Sequence, residues 1–191
     1  YLSAVVRPEM PLEKFPSLTF AAAMAACDAC RALGAPARIK WPNDLVLDGR
    51  KVAGILLERE GDVAVIGIGV NVRQKITDFP EELREKAGSL EMLTGKPFDL
   101  SALERELIRA LGRRVEQAAA GAWLEDYRAL CATLGAQVRV IGTNETFAGI
   151  AEDMDETGAL LVRDGEGTLR RVLAGDVSVR GMMGYVDRDR N

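Results

Sequence analysis

Residues able to do chemistry crowd into one stretch: Lys40-Trp41-Pro42-Asn43-Asp44-Leu45, followed shortly by Arg50-Lys51-Val52-Ala53-Gly54-Ile55-Leu56-Leu57-Glu58. Pro42 imposes a turn after Trp41 and leaves Asn43 and Asp44 at a strand end, where polar groups are free to face a ligand. Lys51 begins an otherwise nearly apolar strand. Gly54 lies inside that strand, where glycine weakens packing unless something must approach the backbone. Taken singly, Asn43 and Asp44 read as turn formers and Lys51 as a solvated edge charge. A ligand lying against Gly54 with its anionic group at Lys51 accounts for both residues together.

A second pattern follows. Gly67 and Gly69 alternate with Ile66, Ile68 and Val70, and the run ends at Asn71. Two glycines at period two clear one face of a strand and leave a shallow slot beside the sheet. The run lacks the third glycine and the following helix of a dinucleotide fingerprint, which excludes that reading.

These residues need a scaffold, and the surrounding pattern predicts one. Residues 2–6 read as a buried strand, Pro16-Ser17 opens a helix that stops at Gly34, and residues 37–41, 44–47, 51–60 and 63–72 are strands of one sheet separated by turn residues such as Asp48-Gly49. Short helices are expected over 81–86 and 90–93. Ser101 and Glu104 suggest a capping box, after which Leu103, Leu107, Leu111 and Val115 form the apolar stripe of a helix lying on the sheet. A second helix is expected over 122–134. Beyond Gly135, five short runs (138–141, 146–153, 159–163, 169–173 and 177–179) predict a small barrel. The domain boundary falls near Leu134, giving units 1–134 and 135–191.

Composition narrows the function classes. The chain has 191 residues, 25 Lys and Arg against 29 Asp and Glu, and a net charge of −4. No run of basic residues forms a stripe, so generic nucleic-acid binding has no electrostatic support. No apolar run approaches the roughly 20 residues of a membrane span. With no histidine in the chain and only three cysteines, Cys27-x-x-Cys30 reads as small apolar residues on a helix face rather than half a metal site, and no metal ligands are assigned. Reduced thiols point to the cytoplasm.

The run from Lys40 to Glu58 closely resembles the signature of the biotin protein ligases, the biotin–acetyl-CoA-carboxylase ligases, and Ile66 to Asn71 resembles their next strand. The order of elements agrees over essentially the whole chain. The resemblance implies an α+β fold, a mixed or antiparallel sheet packed by helices in the manner of class II synthetases and biotin ligases, with a small C-terminal barrel of the Src-homology-3 type. It also implies two steps. Biotin and Mg-ATP give biotinyl-5′-AMP, and biotin then passes to a lysine of the biotin carboxyl carrier domain of acetyl-CoA carboxylase or a related carboxylase.

By matching positions, the resemblance assigns Lys51 to the biotin carboxylate and the α-phosphate, and Gly54, Leu56 and Gly67 to the biotin slot. Asn43, Asp44 and Asn71 fall to the nucleotide. Lys51 and Asp44 are the expected catalytic pair, Lys51 as the cation between two anions and Asp44 as a proton acceptor in the transfer step. Mg2+ arrives with ATP.

Members of the family carry a Gly- and Arg-rich loop before the strand that Tyr1 joins, and repressor-type members carry a winged-helix domain. Neither is in this sequence, so the chain alone is expected to be weakly active or inactive, and no DNA binding is assigned to it. Homodimerisation is left open. Alternatives at this stage are a lipoate or octanoyl ligase-like enzyme, a non-catalytic biotin- or nucleotide-binding remnant, and an interaction protein using the barrel.

Overall fold

The computed structural model describes residues 1–142 and 145–173, together with the backbone of the strand Val177–Arg180. Its first half is built on a five-stranded antiparallel sheet formed by β1 (Leu2–Val6), β2 (Arg38–Lys40), β3 (Asp44–Leu47), β4 (Arg50–Glu60) and β5 (Val63–Val70), in the order β1-β5-β4-β3-β2. Asp48 (φ 48°) and Gly49 (φ 72°) make the tight β3–β4 turn, as expected for a hairpin whose two central residues both need positive φ. The sheet's core face carries Ile39, Leu45, Ala53, Ile55, Ile66 and Ile68, all buried.

Helix α1 (Ser17–Ala32) covers that face. Its alanines, buried from Ala21 to Ala29, let neighbouring elements approach closely on both sides. The short helix α2 (Leu90–Thr94) follows, N-capped by the Ser89 hydroxyl, which accepts from the Met92 N–H. Helix α3 (Leu100–Ala119) packs mainly on α1. Arg114 of α3 pairs with Asp28 of α1 at 2.9 Å.

Several expectations need correction. Residues 2–6 form an edge strand paired with β5 alone, so its side chains alternate between partly buried and exposed instead of being buried throughout. The first of the predicted short helices is a 3-10 turn, Glu81–Leu83. Asp99, not Ser101, caps α3. Its carboxylate accepts from the Ser101 N–H at 2.9 Å, because the helix begins one residue before Ser101. The stripe of Leu103, Leu107 and Leu111 is buried as expected, but against α1 rather than the sheet.

The helix expected over 122–134 is α4, Leu124–Leu130. The chain leaves it at Cys131 to run beside β2, where the Ala132 N–H bonds the Ile39 carbonyl at 2.7 Å.

The second half is a second antiparallel sheet of β6 (Gln137–Gly142), β7 (Thr146–Met154), β8 (Leu160–Asp164), β9 (Leu169–Val172) and β10 (Val177–Arg180). The order β10-β6-β7-β8-β9 brings the last strand back beside the first. Among the described residues, no helix is long and apolar enough to cross a membrane.

Candidate functional site

Strand register assembles the site. Across the sheet, Asp44 stands opposite Gly54 and Gly54 opposite Gly69, while Leu56 stands opposite Gly67 and Gly67 opposite Ser3. Directly paired residues share a face, so three glycines fall together on the side of the sheet away from α1. Leu56, 62% exposed, stands beside them. The glycines are not equivalent. A Cβ at Gly67 would meet only ordinary contacts, 3.7 Å from Leu56, whereas one at Gly54 would come 3.2 Å from Lys51 Nζ and one at Gly69 3.1 Å from the Tyr1 ring.

Lys51 reaches this face because of an irregularity. Lys51 and Gly54 differ by three positions, which in a regular strand puts them on opposite faces. The β3–β4 register shifts between Leu45 and Val46: Leu45 pairs with Ala53 and Val46 with Lys51, so Val52 is an extra residue on β4. This β-bulge turns Lys51 onto the Asp44–Gly54 face while both Val52 and Ala53 stay buried. The result is an ion pair of 2.5 Å between Lys51 Nζ and Asp44 Oδ1. Lys40 Nζ approaches the other oxygen of the same carboxylate at 3.9 Å. Two ammonium groups thus approach one carboxylate beside Gly54.

A cleft of about 430 Å³ opens there, lined by Asn43, Asp44, Lys51, Gly54, Leu56, Gly67, Gly69 and Asn71. The seven residues assigned above to biotin or the nucleotide (Asn43, Asp44, Lys51, Gly54, Leu56, Gly67 and Asn71) therefore border one cavity. A larger cleft, about 1210 Å³, lies on the other side of Asn43, Ile55 and Leu56, which border both. It is also lined by Thr157 and Gly158 of the β7–β8 turn and by Arg171 of β9. Asn43 is fixed between the two: its carbonyl accepts the Ile55 N–H at 2.9 Å and its Nδ2 donates to the Ile55 carbonyl at 2.7 Å. Asn71 is tied in by its N–H to the Val52 carbonyl at 2.7 Å.

The turn before Asn43 is held from outside. The Trp41 indole N–H donates to the Gly158 carbonyl at 2.9 Å, and the Trp41 backbone N–H donates to Thr133 Oγ1 at 2.9 Å. The Tyr127 hydroxyl donates to the Pro42 carbonyl at 2.9 Å. Tyr127 is buried and packs edge-on against Phe20 and Trp123. Burial pushes its phenol well above the usual tyrosine range, so it stays a neutral donor. The sequence reading named none of Lys40, Tyr127, Thr133 or Gly158 as site residues. Lys40 stood inside the quoted motif, but the other three are distant in sequence and carried no local signal.

The two cysteines lie apart from this face. Cys27 donates its S–H to the Ala37 carbonyl at 3.1 Å, and burial pushes both thiols up to about 12, so they are protonated packing groups. Among the described residues, no group of three or more His, Cys, Asp or Glu side chains could hold a metal ion.

Comparisons with known proteins give the family and the fold. Residues 1–73 match the Biotin/lipoate A/B protein ligase family and residues 133–180 match the Biotin protein ligase C terminal domain. The chain is 36% identical over 180 residues to the biotin–[acetyl-CoA-carboxylase] ligase of Paracoccus denitrificans, covering 83% of this chain and 71% of that protein. It is 37% identical over 176 residues to the Mycobacterium tuberculosis enzyme of the same name, covering 88% and 64%. Identity to the bifunctional ligase/repressor BirA of Bacillus subtilis is 31% over 188 residues, covering 94% of this chain but 58% of the relative, so the chain spans little more than half of that protein. The fold superposes on the apo biotin protein ligase of Aquifex aeolicus with a TM-score of 0.81 at 25% identity, covering 94% of this chain and 80% of the other. The same Aquifex protein in complex with biotin and ATP gives 0.81, covering 94% and 77%.

Proposed function

The chain belongs to the biotin protein ligase family, and from that premise we propose that it carries the biotin and nucleotide sites of an ATP-dependent biotin ligase. The observation that carries the reading is the Lys51 ammonium, turned by a β-bulge onto a glycine-cleared sheet face. A flat bicyclic acid fits a slot floored by Gly54 and Gly67 and flanked by Leu56, with its carboxylate at Lys51. The nucleotide takes the side of the cleft where Asn43, Asp44 and Asn71 stand.

In the first step a carboxylate oxygen of biotin attacks the α-phosphorus of ATP and pyrophosphate leaves, giving biotinyl-5′-AMP. Two anions must meet, and a fixed cation between them lowers the barrier by a few kcal/mol. Lys51 supplies that charge once the incoming carboxylate competes with Asp44 for it. In the second step the amine of an acceptor lysine attacks the acyl carbon, AMP leaves with the bonding pair, and the amine gives up a proton. In this reading Asp44, released from Lys51, accepts it. Mg2+ fits this donor set only as a companion of the nucleotide phosphates, since among the described residues Asp44 is the one carboxylate lining the smaller cleft.

The acceptor in this reading is the carrier domain of acetyl-CoA carboxylase or a related carboxylase, and the setting is cytoplasmic. Residues 1–134 form the catalytic part and 135–191 the C-terminal part. The match of residues 133–180 to the C-terminal domain of biotin ligases favours biotin over lipoate, which the match over 1–73 alone leaves open. The test is biotin-dependent exchange of labelled pyrophosphate into ATP by the full-length protein, with lipoate and octanoate as rival acids. Exchange with biotin alone supports the reading, and exchange only with lipoate or octanoate contradicts it.

A further inference from the structure

We propose that Tyr127 is a positioning residue that sets the nucleotide-side wall of the cleft from outside, by holding the carbonyl of Pro42 and with it the placement of Asn43. The proposal rests on the reading of Asn43 as a nucleotide contact.

Proline has no N–H, so the Pro42 main chain can be held only through its carbonyl, and the Tyr127 hydroxyl takes that carbonyl at 2.9 Å. Trp41, one residue earlier, is gripped twice, by Thr133 Oγ1 at its backbone N–H and by the Gly158 carbonyl at its indole, each at 2.9 Å. Residues 127, 133 and 158 thus fix two consecutive residues immediately before Asn43. All three lie more than eighty positions away in sequence. Tyr127 itself borders neither cleft.

The phenol can do this because it is enclosed by packed rings. It is fully buried, with ring centroids 5.0 Å from Phe20 at 78° and 6.2 Å from Trp123 at 83°. The backbone at Lys51 and Gly54, by contrast, is held by pairing along β3–β4–β5, and the Tyr127 hydroxyl bonds the Pro42 carbonyl outside that pairing. Loss of the hydroxyl therefore perturbs the Asn43 side of the cleft and spares the Lys51 side. A purely structural tyrosine would weaken both sides alike.

The experiment compares the unmodified protein with Tyr127→Phe, which keeps the ring and removes one oxygen, and with Thr133→Val, which removes a different one of the three holds. Affinities for ATP and for biotin are measured separately by calorimetry, and the Asn43 side-chain amide is followed by NMR. Tyr127→Phe is expected to weaken ATP binding about fivefold to tenfold while biotin binding stays within about twofold. The Asn43 amide resonances are expected to shift, and Thr133→Val to change ATP binding in the same direction.

Parallel loss of both affinities, or unchanged ATP affinity with unshifted Asn43 resonances, overturns the proposal. If Tyr127→Phe does not fold, Thr133→Val decides by the same two readouts. If the unmodified protein binds neither ligand, the nucleotide reading of Asn43 fails, and the Asn43 resonances alone then decide whether Tyr127 positions that residue.

Discussion

Lys51 Nζ lies 2.5 Å from Asp44 Oδ1, and the pair sits above Gly54, where a Cβ would come within 3.2 Å of the ammonium and 3.4 Å of the carboxylate. Cation, carboxylate and bare backbone therefore form one unit. In the full-length protein, Lys51→Ala should slow biotin-dependent pyrophosphate release by about 100-fold or more, because the charge it supplies counts most where two anions meet. Lys51→Arg should recover only part, since a guanidinium fork does not reproduce a compact ammonium. Melting should barely change, the Lys51 side chain being 37% exposed. Release at the unmodified rate in Lys51→Ala would remove Lys51 from the mechanism.

Gly54→Val and Gly67→Ala should behave differently. At Gly54 the new side chain displaces the flexible end of Lys51 and fills the slot, so biotin binding should be lost while the melting temperature moves by only a few degrees, or roughly 1 kcal/mol. At Gly67 the added methyl meets Leu56 at an ordinary 3.7 Å, so folding should be intact and biotin binding only weakened. Calorimetric titration with biotin beside a thermal melt separates the two. Full biotin affinity in Gly54→Val would show that the slot lies elsewhere.

Gly158→Ala should act on stability first. Gly158 has φ +89°, and a Cβ there would stand 2.1 Å from Phe20 Cε2, inside the aromatic cluster that holds Tyr127. Strain at positive φ and overpacking together should cost about 2–4 kcal/mol. Thermal unfolding checks this, and a loss below about 0.5 kcal/mol would mean that the turn relaxes freely.

Acid should loosen the same turn. Burial alone would raise the Asp155 carboxyl, but side-chain hydrogen bonds from Thr157 and Arg171 and the N–H groups of Ala159 and Thr157 hold it down at about 2, against an ordinary 3.8. A depressed carboxylate contributes stability that is fully present above its unfolded value and lost as pH falls through the folded one. Exchange of the Ala159 amide should therefore quicken as pH drops from about 4 toward 2, after correction for the intrinsic rate. Asp155→Asn should flatten that dependence, and an equally steep profile in this variant would assign the effect to another group.

Much of this arrangement was legible in the sequence because it is local. Proline after tryptophan, glycine inside a strand and glycines at period two each state a backbone requirement, and Gly54, Gly67 and Gly69 border one cleft with the Asn43 that follows the proline. What was not legible depends on tertiary contacts. Parity along β4 puts Lys51 and Gly54 on opposite faces, and only the bulge at Val52, seen in pairing with β3, reconciles them. Asp99 displaced Ser101 as the cap of α3 because the helix begins at Leu100, which puts Ser101 inside the first turn as a donor to the Asp99 carboxylate. The helix over 122–134 ended early because Ala132 and Thr133 bond to Ile39 and Trp41, residues that no local pattern brings near. The grip of Tyr127 on Pro42 spans 85 positions and has no signature in either segment.

A carboxylate meeting the Lys51 ammonium over Gly54 is the central contact of the site, and calorimetric comparison of biotin with its neutral amide tests it most directly. The unmodified protein should bind biotin more tightly than the amide by about tenfold or more, and Lys51→Ala should bind the two with nearly equal, weaker affinity. Equal binding of acid and amide by the unmodified protein, or an undiminished preference for the acid in Lys51→Ala, would contradict the account.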